Sequence, residues 1–167
     1  MSWDELRFEY RPIGVIHSPH TDPGTTPIQP RYAQDFVGSI EIREEFAEGL
    51  DDLDGYSHIV LLYHCHRAKP LRLKIAPFLD DVPRGVFSTR YPSRPNPIGL
   101  SVVRLLRREG RTLHIADVDI LDGTPLLDIK PHVARFGVDG PVRSGWQEAV
   151  EDSTAEHRGR RPDGFGP

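Results

Sequence analysis

Seven short runs of sheet-favouring residues, each cut off by Gly, Pro or Asp, leave this chain few folds to choose from. They lie at 10–17, 37–43, 58–64, 85–90, 100–107, 111–121 and 126–130. Most are rich in Val, Ile and Leu, side chains that suit a half-buried pleated surface. Only 44–54 has helical spacing, with Phe46 and Leu50 four residues apart. Strands do not alternate with long helices, which disfavours a doubly wound parallel sheet. The pattern predicts an all-β or mostly β barrel, with seven strands and short helical segments. Arg108-Glu109-Gly110 predicts a tight hairpin turn, with Gly at the position that needs positive φ.

A chain of 167 residues suits one compact domain, expected over 1–150. The polar stretch 151–167, with its Gly and Pro residues, is expected to be a mobile tail. The segment 18–34 lacks hydrophobic periodicity but carries four prolines, the signature of a long, shaped, functional loop. The apolar run 59–62 is far too short to cross a bilayer, and the N-terminus does not resemble a secretory signal. One cysteine, Cys65, excludes an intrachain disulfide framework. A cytoplasmic protein without a membrane role is expected. The net charge of −4 gives no global field for nucleic acid. Arginines nevertheless cluster at 84, 90 and 94, at 104, 107, 108 and 111, and at 158, 160 and 161. These are either a local basic face or ordinary charged surface.

Three stretches carry chemistry. In 89–101 (TRYPSRPNPIGLS) three prolines within six residues pre-set the backbone and display Arg90, Ser93, Arg94 and Asn96. That is a binding loop or a rigid connector, and paired arginines suit a carboxylate or phosphate. In 111–121 the apolar positions change phase, from Leu113 and Ile115 to Ala116, Val118 and Ile120. Either a bulge sits near 116, or Asp117 and Asp119 face the same side as Leu113 and Ile115. The third stretch is His58, His64, Cys65 and His66. It lacks a second ligand cluster at zinc spacing, so no metal site is expected. No glycine-rich phosphate loop and no nucleophile elbow occurs.

The runs 94–101 (RPNPIGLS), 121–125 (LDGTP) and 127–131 (LDIKP) resemble the TsaA-like (TrmO-type) family. Similar but weaker matches are 13–19 (IGVIHSP) and 53–58 (LDGYSH), in family order over about 10–133. The resemblance implies a single-sheeted antiparallel barrel that binds S-adenosylmethionine (SAM) and forms a homodimer, with the pocket near the subunit interface. It implies N6-methylation of N6-threonylcarbamoyladenosine beside the anticodon of tRNA. The implied cofactor-binding residues are Ile28, Gln29, Pro30, Cys65, His66, Arg90, Leu100, Ala116, Asp117, Val118 and Asp119. Within that reading Arg90 serves the methionine carboxylate, and Asp117 or Asp119 the amino or ribose groups. His66, Asp122 and Asp128 are the candidate general bases, and Arg94 and Asn96 the candidate acceptor contacts. A small-molecule acceptor, or a cofactor-binding module without catalysis, are the competing expectations. Longer family members carry an additional C-terminal domain that this sequence does not include.

Overall fold

The structure, a computed structural model, describes residues 2–162. Its strands are β1 (Gly14–His17), β2 (Val37–Ile42), β3 (His58–His64), β4 (Lys74–Ile75), β5 (Arg84–Gly85), β6 (Ile98–Glu109), β7 (Thr112–Ala116) and β8 (Thr124–Pro131). Six of them close an antiparallel barrel in the order β1-β2-β7-β6-β3-β8. Side chains alternate across each strand. Ile16, Ile40, Ile42, Ile59, Leu61, Val103, Leu113, Ile115 and Leu126 therefore fill the interior. The predicted hairpin is present: Glu109 pairs with Thr112, and Gly110 turns the chain at φ 59°.

The barrel has six strands, not seven. The expected strand at 85–90 contributes only β5, which pairs with β4 in a separate two-stranded sheet. Val86–Ser88 then winds into a 3-10 turn. The Thr89 hydroxyl and amide both donate to the Val86 carbonyl, at 2.8 and 3.1 Å, so the turn satisfies itself locally and needs no neighbouring strand. The helical stretch at 44–54 is also 3-10: Glu44–Leu50 and Leu53–Gly55 bring Leu50 and Leu53 onto the core.

The phase change has the form of the bulge expected near 116: Val37 pairs with Ala116, but Phe36 O accepts from Val118 N–H, so one extra residue enters this side. The strand stops at Ala116, and Asp117 adopts a left-handed conformation (φ 64°). Arg104 stabilises this kink with a fork onto the Asp117 carboxylate, at 2.6 and 3.1 Å. One residue in that conformation rotates the chain, so Val118, Asp119 and Ile120 all become buried.

The expected tail needs correction over part of its length. Asp152–Arg160 is an α-helix, α1, that packs on the 3-10 turn Pro30–Tyr32. Residues 163–167, the rest of that stretch, lie outside the described residues. The 18–34 segment is shaped, as its prolines predict. Asp22 accepts from Gly24 N–H at 2.8 Å, His20 Nε2 lies 2.7 Å from the Val118 carbonyl, and Ser18 Oγ donates to Ile120 O.

Candidate functional site

A cavity of about 740 Å³ opens beside the barrel where β3 ends and β6 begins. Residues 22–29 form one wall, and 89–94 of the proline loop another. The chain just after β3 and the connection from Asp119 to Thr124 complete the enclosure. Proline restricts both loops before any ligand arrives, so little backbone freedom remains to be lost on binding.

A hydrogen-bonded chain lies at the cavity's edge with the barrel. Ser101 Oγ donates to Asp119 Oδ1 at 2.7 Å, so the Tyr63 hydroxyl, 3.0 Å from Ser101 Oγ, is the donor in its own bond. Burial lifts the Asp119 carboxyl to about 7, against the opposing pull of the Ser101 hydroxyl. Burial likewise raises the Tyr63 phenol well above its usual range and pushes the Cys65 thiol up to about 11. Cys65 is thus a neutral wall residue, not a poised nucleophile.

Two arginines come from the proline loop. Arg90 donates Nη1 to Gln29 Oε1 at 2.7 Å, bridging the two loops. Arg94 turns back on its own loop: its Nη1 faces the carbonyls of Val86, Thr89 and Tyr91 at 2.8–3.3 Å. Arg94 therefore braces the loop while its guanidinium still borders the cavity. Asn96 is exposed and away from the lining.

His66 borders the cavity with its pKa lowered, first by burial and then by the charges of Arg67 and His64. Its Nδ1 lies 3.3 Å from Thr124 Oγ1. That hydroxyl already donates to Leu121 O at 2.7 Å, so toward His66 it acts as acceptor. The assignment puts the proton on Nδ1 and leaves the Nε2 lone pair available.

The cavity gathers Ile28, Gln29, Cys65, His66, Arg90, Leu100 and Asp119 from the expected cofactor set. Pro30, Ala116, Asp117 and Val118 fall outside the lining. Asp117 is committed to Arg104, and Val118 is fully buried in the core. Of the candidate bases, Asp122 accepts from Ser18 N–H and faces His17, and Asp128 pairs with Lys130 along β8. Neither lines the cavity. Sequence reasoning missed Tyr63, Ser101, Phe78 and Arg161. Ser101 sat at the end of a recognised motif, where alternation with Val103 could have pointed it inward. Arg161 lay in a stretch read as tail. Among the described residues no cluster of His, Cys, Asp and Glu could hold a metal ion. No helix there is long and apolar enough to cross a membrane.

A family model described as the tRNA-methyltransferase O N-terminal domain matches residues 15–138. A probable S-adenosyl-L-methionine-binding protein of Pyrococcus abyssi is 57% identical over 139 residues, 83% of this chain and 76% of that protein. A tRNA (adenine(37)-N6)-methyltransferase of Mus musculus is 36% identical over 132 residues, 75% of this chain but 31% of that protein. Crystal structures of TrmO are similar too. One is 39% identical with a TM-score of 0.72, covering 84% of this chain and 64% of that one. Another, from Pseudomonas aeruginosa, is 36% identical with a TM-score of 0.71, covering 84% and 63%. The chain thus spans under two thirds of those solved chains. Matched along most of its length by sequence and by barrel, the chain belongs to the tRNA-methyltransferase O N-terminal domain family.

Proposed function

We propose that this protein is a SAM-dependent methyltransferase that modifies tRNA at N6 of adenosine 37, with N6-threonylcarbamoyladenosine as the acceptor nucleoside. The observation that carries this reading is the cavity, which collects Arg90, Gln29, Asp119, Cys65 and His66 from four separate stretches of chain. The same residue types suit the cofactor. A forked guanidinium matches the methionine carboxylate, and a buried carboxyl group matches an ammonium or a ribose hydroxyl. Ile28, Leu100 and Phe78 offer apolar surface for an adenine ring. A cofactor without phosphate needs no glycine-rich loop.

SAM, when bound, supplies a methyl group already activated on a sulfonium. The chain's own work is alignment and proton handling. Arg90 and Asp119 orient the cofactor within the cavity. The acceptor nitrogen is urea-like, with a delocalised lone pair, so losing its proton raises its reactivity. His66 Nε2 is the group suited to take that proton, because its lowered pKa keeps the ring neutral near pH 7. Arg67 and Lys69 at the lining supply positive charge for the acceptor's anionic groups. Ile98 and Leu100 stay 45% and 43% exposed at the lining, apolar surface that a second copy would cover in the homodimer included in this reading.

The test is incubation with SAM and tRNA bearing threonylcarbamoyladenosine, followed by nucleoside mass spectrometry. A gain of one methyl group on that nucleoside is expected. An unmodified nucleoside, with the cofactor still bound, would move the acceptor to another molecule. Arg90→Ala is expected to weaken cofactor binding by about tenfold, as for a lost charge-assisted bond. Unchanged affinity in a titration would remove Arg90 from the site.

A further inference from the structure

Helix α1 and Arg161 lie beyond residues 15–138, the span of the family match, yet they reach the cavity and the loop that walls it. Ile28 N–H donates to the Gly159 carbonyl at 3.0 Å. Gly159 is buried beneath Tyr32, so close that any side chain there would collide with the ring. Arg161 caps the helix in a left-handed conformation (φ 55°), which ends α1 where its side chain can reach the cavity. Its Nη1 donates to Pro23 O at 2.6 Å, and its guanidinium lies 4.6 Å from the Phe78 ring centre. At 5% exposure it is a built part of the wall, not a surface charge.

We propose that α1 and Arg161 form a clasp for the cofactor loop, in which Gly159 and Arg161 are positioning residues that hold Ile28 and Gln29 in the binding geometry. The inference rests on the cofactor reading above and extends it to a segment outside the family match. Its physical basis is pre-ordering. A loop fastened at Pro23 and Ile28 before the ligand arrives has less freedom to lose on binding. Fastening at Ile28 also sets Gln29, its neighbour, which accepts from Arg90 across the cavity. The clasp and the Arg90 contact are therefore linked through two adjacent residues.

The test uses the full chain and two readouts, cofactor affinity by calorimetric titration and the labelling rate of Cys65 by a thiol reagent. Cys65 is the chain's single cysteine and lines the cavity, so its labelling reports how tightly the wall is closed. Gly159→Val should push Tyr32 and the loop away. Arg161→Met keeps the contact with Phe78 but removes the bond to Pro23. Both should weaken SAM binding by about tenfold and speed Cys65 labelling several-fold, with Arg161→Lys recovering part of each effect. Arg160→Ala, which breaks only an exposed pair with Glu156 on the same helix, should leave both unchanged. Wild-type affinity together with wild-type labelling in Gly159→Val and Arg161→Met overturns the clasp. Wild-type protein that takes up no SAM overturns the cofactor reading instead, and the labelling rates then still decide whether the clasp closes the cavity.

Discussion

Asp119 and Asp117 are two residues apart and chemically identical, yet they have opposite fates. Arg104 holds the Asp117 carboxyl below its usual range, while burial lifts Asp119 to about 7. Nothing in the local sequence separates them; the left-handed turn at 117 and the distant Arg104 do. For Asp119 the direction of the pH dependence is fixed. An unfolded chain releases this proton near 3.8, and the native protein keeps it to about 7. Over that window the native state binds the extra proton, so this residue's contribution to stability falls as pH rises and levels off above 7. Asp119→Asn in ligand-free protein should therefore match wild type near pH 4 and exceed it at pH 8, by at most about 4 kcal/mol. Thermal melts across pH check this, and parallel curves for the two proteins would contradict it. His66→Gln should lower kcat by roughly a hundredfold and leave the affinity for SAM nearly intact. It should also abolish the wild type's loss of activity at acid pH, which sets in below the ordinary imidazole range because burial and the neighbouring charges hold the His66 pKa down. Equal loss of kcat and affinity would assign His66 to binding.

Two strands were legible for different reasons: 37–43 sets Ile40 and Ile42 against polar Ser39, Glu41 and Arg43, and 58–64 carries a short apolar run; they became β2 and β3. The run 85–90 was not, because its β-branched residues serve a self-bonded turn, which strand propensity cannot distinguish from a paired strand. Helix α1 was hidden for the opposite reason. It buries little apolar surface of its own and is held by Gly159, Arg158 and Arg161, residues that ordinarily signal loop or solvent. Element packing also explains Gly99 at the start of β6. The ring of Tyr63 on β3 lies against its Cα, where a methyl group would collide. Gly99→Ala should cost about 1–3 kcal/mol in a urea titration. It should also disturb the Tyr63–Ser101–Asp119 chain, which a loss of SAM affinity beyond the stability effect would reveal. The kink at Asp117 predicts a ranking: Asp117→Gly should be less damaging than Asp117→Val, since only Gly enters that conformation without penalty.

The whole molecule is slightly acidic, but cationic side chains collect around one cavity. Sequence charge alone could not express that separation, because Arg67, Arg90 and Arg161 meet only once the barrel is closed. Binding to tRNA should weaken steeply with salt if Arg67 and Lys69 at the lining neutralise phosphates, with log affinity falling linearly against log salt concentration. A flat dependence would argue for recognition without backbone contacts. The barrel order was equally out of reach of local patterns, since β2 pairs with β7 and β3 with both β6 and β8. Closure leaves the barrel strands no free edge, but the hoop is not equally strong all round. β1 meets β8 over three residue pairs only, Gly14 with Leu126, Val15 with Pro125 and Ile16 with Thr124, and Pro125 has no amide proton to give. Just past this seam, Gly123 N–H donates to Ile16 O and Asp122 N–H to His20 O, and the flanking residues Leu121 and Thr124 line the cavity. Opening of the barrel is therefore expected first at this seam, beside the cavity. In hydrogen exchange the amides of Ile13, Asp122 and Gly123 should open before those of β3 and β6, and slow down when the cavity is filled.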